Sequence, residues 1–244
     1  MVLTLLFVLG QTQGNAQALS QAAGKQSGRV PWLDDLYRTI SKKNAEKEKN
    51  NPYSEIAKGS PYFDKDFKKG AVYYNANFIG TPYLRYDAYN DEIQIKKTSL
   101  SEEEYGALLK SNELYCIMDS KRIVYRSFNG SDGIEKGYLK NLVNSGKYFL
   151  FVRRVKRFQE GRTSVNSLAA SVDSKFIDET GYYFGKENET EMLQKIVAGR
   201  RQVLGLFDAG DRAELKAFIR KNKLNLNAEN DLMALFYYAN TLKK

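Results

Sequence analysis

Residues Gly59–Lys97 read GSPYFDKDFKKGAVYYNANFIGTPYLRYDAYNDEIQIKK, and the alternation in this stretch decides the fold class. Val72, Tyr74 and Phe78 fall at even spacing, then Leu84 and Tyr86, then Ile93 and Ile95. Gly, Pro, Asn and Asp punctuate the runs. Successive strand side chains point to opposite faces, so period-2 alternation bounded by turn formers predicts short antiparallel strands. The reading is a three-stranded meander that opens a larger sheet.

Further strand signals follow at Leu114–Met118, Arg122–Phe128 and Lys147–Phe158, with weaker ones at Val172–Ile177 and Tyr182–Phe184. Asn129-Gly130 and Asp132-Gly133 supply turn chemistry between them. Tyr148 to Val152 are all apolar or aromatic, which places the longest strand centrally with both faces covered, whereas its later half, RRVKRF, runs out to solvent or an edge. Cys116 alternates with Leu114 and Met118, the pattern of a buried strand position, where a thiol acts as a small hydrophobe. Ser101 with Glu104 has capping-box spacing for a short helix carrying Tyr105, Leu108 and Leu109.

The C-terminal quarter changes period. Met192, Leu193, Ile196, Val197, Val203, Leu204 and Phe207 keep helical spacing, with Gly199 a break, and Gly210 ends the run. Asp211 and Glu214 restart it ahead of Leu215, Phe218 and Ile219, and Leu232, Leu235, Phe236, Ala239 and Leu242 repeat the stripe. Two short helices joined so closely form an antiparallel hairpin that must bury its apolar stripe. The expected fold is α+β: a twisted antiparallel sheet of roughly seven to eight strands, with the C-terminal helices packed on one face.

At the other end, MVLTLLFVL is apolar apart from Thr4, and small residues follow at Gly14, Ala16 and Ala18. A short apolar core followed by small residues two apart reads as a secretory signal cleaved after Ala16 or Ala18. No Lys or Arg precedes that core, a departure from the signal pattern. The run is much shorter than the roughly 20 residues of a membrane span. The expected organisation is a signal peptide over 1–18, a polar leader over 19–51 carrying a short amphipathic helix around Trp32, a sheet region over 52–186 and a helical region over 187–244, exported to the periplasm or beyond. The segments Ser60–Gly70 (SPYFDKDFKKG), Arg85–Lys96 (RYDAYNDEIQIK) and Phe218–Asn240 resemble a group of secreted Bacteroidota proteins. That group has no assigned activity, so the resemblance implies a cell-envelope setting and carries over no functional residues.

Composition narrows the chemistry. The 244-residue chain has no histidine and one cysteine, which removes Ser-His-Asp and Cys-His nucleophile systems, His-ligated zinc, and Cys-clustered metal or dithiol chemistry. No GxGxxG or GxxxxGK[ST] phosphate cradle is present. No cofactor is expected. Asp64/Asp66, Asp87/Asp91/Glu92 and Asp173/Asp178 are the candidates for a glycosidase pair or a calcium site, against the simpler reading that they form turns. Tyr83, Tyr86, Tyr89, Tyr182 and Tyr183, among 17 tyrosines, suit either sugar stacking or sheet packing.

The net charge is +9, with a basic cluster at Arg153, Arg154, Lys156 and Arg157 and Arg162 nearby. These four are the candidate ligand-binding residues, for an anionic lipid, a glycan or an envelope protein rather than nucleic acid, which an exported protein rarely meets. The competing reading is an edge guarded by charge against strand pairing. Alternation puts Arg153 and Arg157 on one face and Arg154 and Lys156 on the other. The functional expectation is a non-enzymatic binding or assembly protein of the envelope; the alternative is a carboxylate-dependent hydrolase of envelope glycans.

Overall fold

The computed structural model describes residues 57–130, 133–162, 171–187 and 191–242. The signal peptide, the polar leader and the Trp32 helix lie outside them. Among the described residues, twelve strands and three helices follow one another. The strands are β1 (Lys68–Lys69), β2 (Ala71–Tyr74), β3 (Asn77–Gly80), β4 (Tyr83–Asp87), β5 (Glu92–Lys96), β6 (Gly106–Ala107), β7 (Leu114–Met118), β8 (Lys121–Asn129), β9 (Ile134–Val143), β10 (Tyr148–Gln159), β11 (Lys175–Lys186) and β12 (Met192–Lys195). The helices are α1 (Arg200–Gly205), α2 (Arg212–Lys221) and α3 (Glu229–Thr241).

The chain is α+β and mostly antiparallel, as expected, with an eight-stranded sheet ordered β12-β11-β10-β9-β8-β7-β2-β3 and a four-stranded one ordered β1-β4-β5-β6. The expected meander does not form. β2 and β3 make a hairpin at the edge of the large sheet, while β4 and β5 make one in the small sheet. The chain changes sheets at Gly80-Thr81-Pro82, where a proline has no N–H to continue a ladder. Within β2 a register shift between Val72 and Tyr73 breaks the alternation, so Val72 is fully buried whereas Tyr74 and Phe78 are exposed.

The large sheet also curls onto itself. β12 pairs antiparallel with β11 and parallel with β8, through Met192 opposite Ser127 and Leu193 opposite Phe128. Strands β8 to β12 therefore close into a ring around Val124, Phe128, Leu139, Phe151, Tyr183 and Leu193. Closure corrects the helix expected from Met192. That segment is a strand because Leu193 fills the ring and is wholly buried, and the helix begins only after Gly199, whose φ of +134° turns the chain. The sheet thus continues past the boundary drawn at residue 186. The two weak strands expected near Val172 and Tyr182 are one twelve-residue strand, β11, paired along the whole of β10. Strand β9, for which the sequence reading assigned no element, lies between β8 and β10.

The helices cover the other face of β9 and β10. Leu215, Ile219, Leu232, Leu235, Phe236 and Ala239 bury their stripe against Leu142, Leu150, Val152 and Phe184. Asn240 of α3 ties this layer to the β9–β10 turn: its side-chain carbonyl accepts from the Tyr148 amide (2.9 Å) and its amide donates to the carbonyls of Ser145 and Tyr148. The Ser101–Glu104 helix is also absent. Glu103, not Glu104, closes that loop by accepting from the amides of Lys97 and Thr98, and β6 then pairs with β5.

Candidate functional site

The small sheet packs on the face of the large one that carries Ile123, Tyr125 and Tyr138, and what holds the two together is the β4–β5 turn. β9 and β10 are paired only at one end, as far as Lys140 opposite Val152. Beyond that point they part, and the turn enters the gap. The Lys156 amide donates to the Ala88 carbonyl (2.9 Å), and the Tyr138 amide donates to the Asp91 carboxylate (3.3 Å) where a ladder bond would otherwise be. Asp91 also accepts from the Tyr86 hydroxyl (2.7 Å) and pairs with Arg153 (3.1 Å). Gly137 makes this approach possible: a Cβ there would sit 2.4 Å from the Asp91 carboxylate and 2.8 Å from Arg153 Nε. Burial, reinforced by the Asp91 charge, holds the hydroxyls of Tyr86 and Tyr138 protonated well above the usual tyrosine range.

Beside this junction a cleft of about 170 Å³ opens between the sheets. Its apolar wall comes from Phe63, Met118, Ile123, Tyr138 and Val152, and its charged groups are Asp64, Asp66, Lys68, Arg85, Asp119, Lys140 and Arg154. Most of these charges are already engaged. Lys68 lies between Asp64 (2.6 Å) and Asp119 (3.3 Å), and Arg154 pairs with Glu229 at the start of α3 (2.6 Å). Arg85 stacks over Tyr62 and Phe67, at 4.1 and 4.3 Å from the ring centroids, and its Nε donates to Gln94 (2.7 Å).

Lys140 differs. Its cross-strand neighbours are Ile123 on β8 and Val152 on β10, and Val152 in turn faces Tyr182, so the lysine is the one cation in an apolar row across the sheet. Tyr138 on one side of it is under the small sheet and Leu142 on the other is under the helices. Lys140 falls in the seam between the two covering layers. Among the described residues its amine has no hydrogen-bond or ion-pair partner. Burial, and secondarily the nearby Arg154 charge, lower its pKa from the usual lysine value.

The four residues expected to bind a ligand are not one patch. Alternation separates them as anticipated, and each has a carboxylate of its own. Arg153 meets Asp91 and lies over the Phe128 ring, Arg154 meets Glu229, Lys156 meets Asp178 (2.5 Å), and Arg157 meets Glu179 (2.9 Å). Only Arg154 reaches the cleft wall, while Lys156 lies over Phe63, a cleft residue, 4.3 Å from its centroid. Of the candidate carboxylates, Asp64 and Asp66 line the cleft together, Asp64 paired with Lys68, while the others are dispersed: Asp87 accepts from the amides of Tyr89 and Asn90, Asp173 meets Lys58, and Asp178 meets Lys156. The tyrosines serve packing, Tyr86 against Tyr138, Tyr89 against Phe176, and Tyr183 against Phe128. Cys116 is buried on β7, and burial pushes its thiol up to about 12, far from a reactive thiolate.

Lys140 was missed because β9 was missed. The signal is present in Tyr138-Leu139-Lys140-Asn141-Leu142-Val143, where a lysine takes a position whose neighbours two residues away are both apolar. No family model, curated protein or solved structure matches this chain.

Proposed function

We propose that this chain is an exported, non-enzymatic binding protein of the cell envelope. In this reading the cleft between its two sheets takes a small amphipathic anion. The ligand's apolar part lies against Met118, Ile123, Tyr138 and Val152, and its anionic group meets the Lys140 amine, with Arg154 at the wall. The observation that carries the reading is Lys140 in an apolar row, with Asp119 and Glu229 near enough to attract its amine but neither bonded to it: a cation kept partly out of water without a direct partner is costly, and an arriving anion relieves that cost. Export rests on the apolar Val2–Leu9 core and the small residues after it, in keeping with the resemblance to secreted envelope proteins. The non-enzymatic reading is supported by Asp87, Asp91, Asp173 and Asp178, each of which already holds a turn or a cation. That leaves them poorly suited to the paired acid and base roles of a glycosidase.

Calorimetric titration with hexanoate, against hexanol as a neutral match of similar shape, tests this. Hexanoate is expected to bind and hexanol to bind at least tenfold more weakly, with the preference lost in Lys140→Met. Equal binding of the two probes, or a Lys140→Met variant that keeps the preference, overturns the reading.

A further inference from the structure

A second cationic surface lies on the helical layer, far in sequence from the strand cluster and unlike it in electrostatics. Arg200 and Arg201 of α1 and Arg212 and Lys216 of α2 border an open groove of about 650 Å³ floored by Leu204, Gly205 and Ala213. Arg212, Lys216 and Arg220 follow one another at four-residue spacing, so they form a stripe along one side of α2. Arg212 is fixed in place, its guanidinium donating to the carbonyls of Phe207 and Gly205 (both 2.9 Å) at the end of α1. Among the described residues no carboxylate pairs with Arg200, Arg201, Lys216 or Arg220.

The acids nearest in sequence are turned inward. Asp208 is held by Lys147 and Lys186, and Asp211, which precedes α2, accepts from the Tyr148 hydroxyl (2.5 Å) instead of capping the helix. Glu214 sits two residues from both Arg212 and Lys216, on the far side of the helix. Arg153, Arg154, Lys156 and Arg157 each have a carboxylate of their own, whereas this face has cations from two helices and, among the described residues, no acid paired with Arg200, Arg201, Lys216 or Arg220.

We propose that the α1–α2 face docks on an anionic phospholipid bilayer. The inference is independent of the inter-sheet cleft. Charge complementarity is the first reason: each basic side chain near an anionic membrane surface contributes roughly 1 kcal/mol of attraction. Shape is the second, because the groove is open to solvent, which suits an extended surface better than an enclosed ligand. Composition is the third. Val197, just before α1, is 59% exposed, whereas Leu204 floors the groove and packs on the core. An exposed apolar side chain beside basic ones can enter the headgroup layer, a contact that a soluble polyanion does not offer.

The test is co-sedimentation of the full chain with phosphatidylcholine vesicles, with and without phosphatidylglycerol, over a salt series. Arg200→Gln/Arg201→Gln/Lys216→Gln is compared with Lys136→Gln/Arg157→Gln/Lys175→Gln, which removes the same number of charges from exposed strand positions. All six side chains are exposed, so unchanged melting curves for both variants exclude a folding defect. Expected is binding only to the vesicles containing phosphatidylglycerol, weakened steeply by salt as exposed charges are screened. The helix variant should bind about 100-fold more weakly, and the strand variant close to wild type. Equal loss in both variants would show a net-charge effect and overturn the site. Retention of dextran sulfate without any vesicle binding would overturn the bilayer in favour of an anionic glycan.

Discussion

The Asp91–Arg153 pair makes the sharpest claim about how the two sheets are joined, and Asp91→Asn isolates it. Asp91 has a φ of +51°, which asparagine tolerates as readily as aspartate, so this substitution removes the charge without the backbone penalty that alanine would add. The pair is mostly buried, with 15% of the Asp91 side chain and 18% of the Arg153 side chain exposed. Arg153 Nε is buried with no hydrogen-bond partner of its own, so among the described residues Asp91 alone forms an ion pair with that guanidinium.

Breaking a fully buried pair costs about 3–5 kcal/mol because a lone charge is left behind. Residual exposure lowers that figure, and the asparagine carbonyl can still accept from Tyr86 or the Tyr138 amide. The expected cost is therefore about 2–3 kcal/mol. Urea unfolding of wild type, Asp91→Asn, Arg153→Met and the double variant would read it as a cycle, with an expected coupling near 2 kcal/mol. Native-state hydrogen exchange at the Tyr138 amide should accelerate in Asp91→Asn, since an uncharged amide carbonyl is a weaker acceptor than the carboxylate it replaces. Additive single-variant effects, or a cost below about 0.5 kcal/mol, would refute the view that this turn clamps the sheets together.

Two further expectations concern stability alone. Phe236 is fully buried against Phe207 and Phe184, with ring centroids 5.2 and 5.9 Å away, so Phe236→Ala should cost about 3–5 kcal/mol by chemical denaturation, while exposed Lys221→Ala stays within about 0.5 kcal/mol. The Cys116 thiol, pushed up to about 12, stays protonated in the fold while the unfolded chain ionises from about pH 8.5. A raised folded value gives stability that is complete below the unfolded pKa and lost as pH rises through the folded one. Stability should fall between pH 9 and 12, by up to about 4 kcal/mol from this group, with Tyr86 and Tyr138 adding to the loss above about pH 10. Urea titrations across that range should show a shallower alkaline decline in Cys116→Ala, and an unchanged slope would mean the thiol is not held protonated.

Much of the architecture could be read from local pattern. Leu114, Cys116 and Met118 are buried on alternate positions, Tyr148–Val152 does run through the middle of the sheet, and the stripes of Leu215, Ile219, Leu232 and Phe236 do seat two helices on it. These follow from periods of two and 3.6 residues, which act over one or two turns of chain. Pattern also placed Arg153 and Arg157 on one face and Arg154 and Lys156 on the other. It did not show which carboxylates would neutralise them: their partners lie 22 to 75 residues away.

Tertiary structure alone decided the rest. An alternating segment states which of its side chains want burial but not which strand it will pair with, so the change of sheet after Gly80 and the parallel closure of β12 onto β8 were invisible locally. Met192–Lys195 has helical spacing and becomes a strand because the ring needs Leu193 as a plug. The candidate site belongs to the same class. Lys140 is one of many lysines in a basic chain, and its distinction comes from Ile123 and Val152 on either side and from the gap between two covering layers. Its desolvation is set by atoms brought together from distant parts of the chain, and local sequence spacing does not record it.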